Sequence, residues 1–231
     1  MATEYQCEFL ERIQRTPAAH SYRFSRPEGL TFTAGQYMVV SLGGELVHPL
    51  SLSDCPEESG FIEFTKRMTG SPFCRRLEAL ARGEKISVRG PSGGFTLGAA
   101  DNNIIMIAGG IGITPIRSIL KSHERREGDR CRIILIYGNS DRNDIAFRAE
   151  LENLRLPDYK LVHVLADNTE MAAADRGFIT ADIIAREAAA REDPIFMISG
   201  PPAMVQAIMA ALAKLAVRED RIRTDVFLGY D

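Results

Sequence analysis

The chain has 231 residues, enough for one large domain or two small ones with a sizeable core. A net charge of −3 without any Lys/Arg block gives no reason to expect a nucleic-acid partner, and no apolar run reaches the ~20 residues of a membrane span. Met1–Tyr5 shows no basic segment followed by an apolar one, and Cys7, Cys55, Cys74 and Cys131 fall in no iron–sulfur or zinc spacing, so a reduced cytoplasmic protein without a metal site is expected.

Up to about residue 100, short β-like runs alternate with breakers. Strands fit Met38–Leu42, Phe61–Lys66 and Lys85–Val88, and turns fit Gly43-Gly44, Pro56, Gly60, Gly83 and Gly90-Pro91. One short helix fits Phe73–Ala81, where Phe73, Leu77 and Leu80 share a face. The pattern predicts a small antiparallel β-barrel. Gly98–Asn103 is the natural join, giving domains 1–99 and 100–231. Beyond it, strands at Ile104–Ala108, Arg132–Tyr137, Leu161–Leu165, Ile195–Ile198 and Asp225–Leu228 alternate with helices. The helices fit Ile116–Arg126, Ile145–Leu154, Ala181–Ala190 and Ala203–Ala216. Such alternation predicts an α/β domain built on a parallel sheet.

The first strand of that half runs into Gly109-Gly110-Ile111-Gly112-Ile113-Thr114-Pro115. Glycine lets backbone approach a ligand, and a helix N-terminus favours anions. The spacing departs from the dinucleotide fingerprint, because the third glycine position falls on Pro115, and no Walker lysine follows Thr114. Taken alone, the turn fits either a phosphate site or a plain strand–turn–helix connection. Two other strand ends carry small-residue turns, Tyr137-Gly138-Asn139-Ser140 and Ser199-Gly200-Pro201-Pro202 before Met204. Ligands of open parallel sheets bind outside the carboxyl ends of the strands, so three such turns point to one site.

These residues, with Ala34-Gly35-Gln36-Tyr37, His48-Pro49-Leu50-Ser51, Gly70-Ser71-Pro72-Phe73-Cys74 and Gly90–Phe95 before them, resemble the ferredoxin–NADP reductase superfamily over nearly the whole chain. The resemblance implies a flavin-binding barrel followed by an NAD(P)-binding domain, with FAD rather than FMN as cofactor and NADPH or NADH as substrate. It places His48, Pro49, Leu50, Ser51, Thr65, Lys66, Arg67, Gly70, Ser71, Phe73 and Cys74 at the flavin. It places Gly109, Gly110, Gly112, Thr114, Pro115, Asn139, Ser140, Arg142, Gly200, Pro201 and Met204 at the nicotinamide nucleotide. Ser51 matches the serine that hydrogen-bonds near the reactive flavin nitrogen, and Ser199 stands where many relatives carry a Cys beside the nicotinamide. Tyr230 matches the terminal aromatic that covers the flavin in some relatives.

Three positions depart from the family pattern. His48 replaces an Arg that grips the flavin pyrophosphate, Leu50 replaces a stacking aromatic, and Cys74 replaces a Ser or Thr. Together they predict weaker or altered flavin binding, with Lys66 or Arg67 supplying the missing charge. Arg142, after Ser140, suits the 2′-phosphate of NADP and leans the reading to NADPH. The resulting expectation is an FAD-dependent NAD(P)H oxidoreductase serving a separate acceptor: a ferredoxin, an oxygenase component or a small molecule. The alternatives are a flavin reductase that releases its flavin, and a non-catalytic electron-transfer or nucleotide-sensing subunit.

Overall fold

The computed structural model describes residues 3–98, 100–128, 130–167 and 174–227. The first half contains β1 (Thr3–Thr16), β2 (Ala19–Ser25), β3 (Tyr37–Ser41), β4 (Val47–Ser51), β5 (Phe61–Arg67) and β6 (Lys85–Ser92), with α1 (Pro72–Glu78) between the last two. The strands form one antiparallel sheet in the order β4-β3-β6-β1-β2-β5. The 14-residue β1 serves two partners. Thr3–Glu8 pairs with β6 and Phe9–Thr16 with β2, with a register shift between Phe9 and Glu11. Such irregularities bend a strand and increase its twist, which lets one strand turn a barrel corner. A bridge between Leu52 and Phe64 then joins the two edge strands and closes the barrel. Phe24, Phe64, Met38 and Val88 fill the interior, and α1 adds Phe73 and Leu77 to the same core.

The second half is a parallel sheet of β7 (Asn103–Gly109), β8 (Arg132–Asn139), β9 (Asp158–Leu165), β10 (Asp175–Arg176), β11 (Ile195–Gly200) and β12 (Ile222–Val226). Its order is β10-β9-β8-β7-β11-β12. Ile104, Met106 and Ala108 of β7 face one core, where α2 (Ile113–Glu124) contributes Ile116 and Ile119. Ile105 and Ile107 face the other, packed by α4 (Ala181–Ala188) and α5 (Pro202–Lys214). A strand buried on both faces reads as a continuous apolar run, as this one does. The chain builds outward from β7 to β10, then returns to set β11 on the other side of β7. The crevice at that reversal is where such sheets hold ligands. No helix among the described residues is long and apolar enough to cross a membrane.

Several elements differ from the sequence expectations. β1, β2, β4 and β10 were not anticipated, and the last strand ends at Val226 instead of spanning Asp225–Leu228. The helix expected over Ile145–Leu154 shrinks to α3 (Arg148–Glu152), because Phe147 adopts a left-handed φ of 59° that a helix cannot include.

Between the halves lies a buried polar seam. Glu63 of β5 is 0% exposed, with Oε2 accepting from Arg15 at 3.0 Å and Arg23 at 2.8 Å. Its Oε1 accepts from Ser21 at 3.2 Å and Ser53 at 3.1 Å. Burial works to raise the Glu63 carboxyl, but Arg117, Arg15 and Arg23 together hold it below its ordinary value. Beside it, Asp54 is also fully buried; its Oδ1 accepts the Glu63 amide at 2.8 Å, while Oδ2 has no hydrogen-bond partner among the described residues.

Candidate active site

A cavity of about 600 Å³ opens where the barrel meets the carboxyl ends of β7, β11 and β12. From the barrel come Tyr37, Pro49, Leu50 and Ser51, together with Thr65, Lys66, Arg67 and Thr69 at and beyond the end of β5. The α/β half contributes Ile111, Pro201 and Pro202 from two of the turns, and Asp225, Val226 and Phe227 from the end of β12.

Ser51 and Asp225 meet across the seam. Ser51 Oγ donates to Asp225 Oδ2 at 3.4 Å, joining residues 174 positions apart. Burial pushes the Asp225 carboxyl up to about 6, against the smaller downward pull of the Ser51 hydroxyl. A hydroxyl that both donates and accepts, next to a carboxyl titrating near neutrality, is a pair able to hold and pass a proton.

The flavin-side residues fall into two groups. Pro49, Leu50, Ser51, Thr65, Lys66 and Arg67 all line the cavity. Thr65 is 4% exposed, and its Oγ1 lies 2.7 Å from Ser21 Oγ and 2.9 Å from Ser53 Oγ, tying the cavity wall to the buried seam. Arg67 reaches across the cleft to Asp144 at 2.8 Å. His48, Ser71, Phe73 and Cys74 do not line the cavity. The His48 ring packs edge-on against Phe73 at 4.2 Å and 64°, and burial, with the Lys66 charge, holds it below its ordinary value. Ser71 caps α1 by accepting the Cys74 amide at 3.2 Å, and the buried Cys74 thiol lies 3.6 Å from Thr69 Oγ1 and 3.9 Å from the Arg67 carbonyl. Gly70 has a φ of 65° with open space where a Cβ would stand.

At the nucleotide turns, the glycines serve different ends. A Cβ on Gly112 would stand 2.3 Å from the Ser199 carbonyl and 2.7 Å from the Gly200 Cα, and one on Gly109 would meet Met204 Sδ at 2.1 Å. Gly112 is therefore required for turn-on-turn packing against backbone, Gly109 packs under the movable Met204 side chain, and only Gly110, at φ +50° with open space above it, faces outward. Thr114 is 1% exposed and donates to the Ile111 carbonyl at 3.1 Å, so its hydroxyl secures the turn; Pro115 is buried behind it. Gly200 and Met204 complete the packing, and Pro201 lines the cavity. At the end of β8, the side-chain nitrogen and oxygen of Asn139 are enclosed without a hydrogen-bond partner among the described residues, Ser140 is exposed, and Arg142 lies exposed in a short 3-10 turn.

Of the other two expected catalytic residues, Ser199 stands away from the cavity wall and Tyr230 is not among the described residues. Ser199 is 0% exposed and lies outside the cavity wall, because β11 is paired on both sides and the Gly112 turn packs on its carbonyl. Tyr230 lies outside the described residues; among those described, Phe227, just past the end of β12, brings an aromatic ring to the cavity. Asp225, Phe227, Ile111 and Tyr37 were missed. The signal for Asp225 and Phe227 was available, since they sit where a strand's carboxyl end joins the three ligand turns.

The residues present suit a flavin nucleotide. Leu50, Pro49 and Phe227 give apolar surfaces for a planar ring, Ser51 and Asp225 give polar partners at its edge, and Lys66 and Arg67 give cations for phosphate.

A family profile described as an oxidoreductase NAD-binding domain matches residues 106–210. NADH-cytochrome b5 reductase 1 of Coccidioides immitis is 31% identical over 238 residues, covering 94% of this chain and 77% of that protein. The Candida glabrata protein of the same name is 30% identical over 90% of this chain and 78% of its own. Among solved structures, the Amycolatopsis cytochrome P450 reductase GcoB superposes with a TM-score of 0.86 at 23% identity, covering 98% of this chain and 71% of that one. A ferredoxin NADP+ reductase from Neisseria gonorrhoeae with bound FAD and NADP gives 0.83 at 20% identity, over 98% of this chain and 99% of its own.

Proposed function

Since the chain belongs to the ferredoxin–NADP reductase superfamily and is an FAD-dependent NAD(P)H oxidoreductase, we propose that it oxidises NADH and delivers the electrons to a separate one-electron redox protein. The observation that carries the reading is the Ser51–Asp225 pair, drawn from opposite halves into one cavity. FAD, when bound, accepts two electrons together and can release them singly.

The chain's own residues do the rest. Leu50, Pro49 and Phe227 would shield a bound flavin from water, and Lys66 and Arg67 would balance its phosphate charge. Ser51 holds its hydroxyl at the cavity edge. Below about pH 6 Asp225 retains a proton beside it; above that, its Oδ2 can accept one from Ser51 Oγ. The choice of NADH and of a cytochrome as acceptor is supported by the relatives named NADH-cytochrome b5 reductase. Arg142 is the residue proposed to extend use to NADPH, through the 2′-phosphate.

A second reading draws on one observation. With His48 held mostly neutral at pH 7 by burial and Lys66, the site grips phosphate with less charge than an Arg would bring, as suits a flavin that is used and released. Gel filtration followed by absorption spectroscopy separates the two. The resident-cofactor reading expects flavin to co-elute, to bleach on anaerobic NADH addition, and to recover when cytochrome b5 or a ferredoxin is added. Flavin left in the small-molecule fraction supports the reductase reading, and failure of NADH to bleach any bound flavin defeats both.

A further inference from the structure

We infer that Arg117 is a positioning residue, a buried strap holding the Ser51 segment of the barrel in register with the Gly110–Gly112 turn of the α/β half. The inference rests on the proposed reading of the cleft.

Arg117 lies one turn into α2, the helix that starts where the Gly110–Gly112 turn ends. Its side chain is only 5% exposed, yet every part of the guanidinium is engaged. Nε and Nη2 donate to the two carboxylate oxygens of Glu150 in α3 at 2.9 and 3.0 Å. Nη1 donates to the main-chain carbonyl of Ser53 and lies 3.5 Å from Glu63 Oε1. Ser53 is two residues from Ser51, and Ile111, in the cavity wall, is six residues before Arg117. One planar group thus links the two chain segments that wall the cavity, gripping the barrel by its backbone.

The surrounding contacts aim the strap. The Phe147 ring packs against two guanidiniums, with Arg117 Cζ 4.5 Å and Arg15 Cζ 4.7 Å from its centroid. Phe147 reaches this place with a left-handed φ of 59°, uncommon for a bulky residue and sustained only where the surroundings enforce it. A buried ion pair is weak evidence for stability, but a bidentate fork fixes direction. Lysine carries the same charge without the planar fork and cannot reproduce all of these contacts. Because a misplacement of ~1 Å between reacting groups can cost about 100-fold in rate, register between the walls is what such a strap controls.

The test uses the full-length, flavin-loaded protein with Arg117→Met, Arg117→Lys and Glu150→Gln, measuring stopped-flow flavin reduction across NADH concentrations. Arg117→Met is expected to lower the limiting rate constant about 30- to 100-fold while leaving the NADH dissociation constant within about threefold and the flavin content unchanged. Arg117→Lys and Glu150→Gln should fall between it and the wild type. A second measurement, amide exchange by mass spectrometry on flavin-stripped protein, should show faster exchange confined to residues 51–55 and 110–116. Wild-type limiting rates in Arg117→Met overturn the proposal. So does a joint loss of rate, nucleotide affinity and flavin with exchange raised throughout, which is the signature of a merely structural role. If Arg117→Met does not fold, unchanged limiting rates in the other two variants overturn it. If NADH fails to reduce flavin in the wild type, the functional reading is lost, and the exchange measurement still judges the strap.

Discussion

The barrel wall of the cleft presents side chains, whereas the α/β wall presents mostly main chain. On the barrel side Ser51, Thr65, Lys66 and Arg67 offer hydroxyls and charge; on the other, Ile111, Pro201 and Pro202 offer turns, and Asp225 is the one ionisable group that half contributes among the described lining residues. The difference follows from how each half reaches the cavity. The barrel meets the cavity with the last residues of β4 and β5, whose consecutive side chains line it, while the parallel sheet meets it at strand ends where turns must pack on one another. A wall of side chains can be altered one group at a time, with changes in affinity or pH response. Packed turns allow no such freedom.

The sharpest way to break that contrast is a single methyl group. Gly112→Ala drives a Cβ into the Ser199 carbonyl and the Gly200 Cα, backbone atoms that cannot step aside. A loss on the order of 3 kcal/mol in urea unfolding is expected, with NADH turnover abolished. Gly110→Ala has open space and bears only its left-handed φ, costing ~1–2 kcal/mol and sparing turnover. Equal outcomes for the two glycines would erase the distinction between the walls.

On the side-chain wall, Ser51→Ala should keep flavin bound while slowing its reduction about 10- to 100-fold, the scale of one lost hydrogen bond of ~1.5–3 kcal/mol. Turnover with saturating acceptor should rise as pH climbs through about 6, where Asp225 loses its proton and can accept one from Ser51. Asp225→Asn should flatten that rise; an inflection surviving the substitution assigns it to another group.

How much of this was legible in sequence varies with the wall. The three turns and the strands feeding them were readable because a strand buried on both faces is an unbroken apolar run and glycines mark its end. The barrel strands were harder. In β1 the register shift at Phe9 interrupts the alternation, and β4 is an edge strand that tolerates His48 and Pro49, residues that disguise it. Ser51 was found through its motif. Asp225 was one carboxylate among 31 acidic residues, and only its meeting with Ser51 gives it a role. Glycine in the nucleotide turn was read as room for phosphate, yet at Gly109 and Gly112 the space is taken by Met204 and by the Ser199-Gly200 backbone. Sequence marks small residues without saying what fills the gap.

Two smaller effects sharpen the comparison at its edges. Arg142 lies exposed just beyond the β8 turn and is proposed to meet the 2′-phosphate, so Arg142→Ala should raise the KM for NADPH about tenfold, ~1.4 kcal/mol, with little change for NADH; parallel shifts would remove it from the nucleotide site. His48→Arg should tighten flavin binding a few-fold at pH 8. In the wild type, burial and Lys66 keep the free imidazole below its ordinary value, and a bound phosphate raises it. Affinity should therefore be strongest in acid and fall as pH rises through the bound-state value. A wild-type dissociation constant that stays flat from pH 6 to 8 would show that His48 does not act on phosphate as a cation.

Asp54 bears on how the protein meets alkali. Its enclosed carboxyl is pushed up to about 8, chiefly by burial, so at neutral pH it stays protonated in the fold, whereas an unfolded chain would have released that proton near its ordinary 3.8. The folded form binds the extra proton between those values, so this group's contribution to stability declines as pH rises across that window and is gone above about 8. There the carboxylate must ionise where it stands, beside Glu63. Glu63, with its arginines, pulls the opposite way only at acid pH. Mildly acidic storage conditions, not alkaline ones, are where this barrel should keep longest.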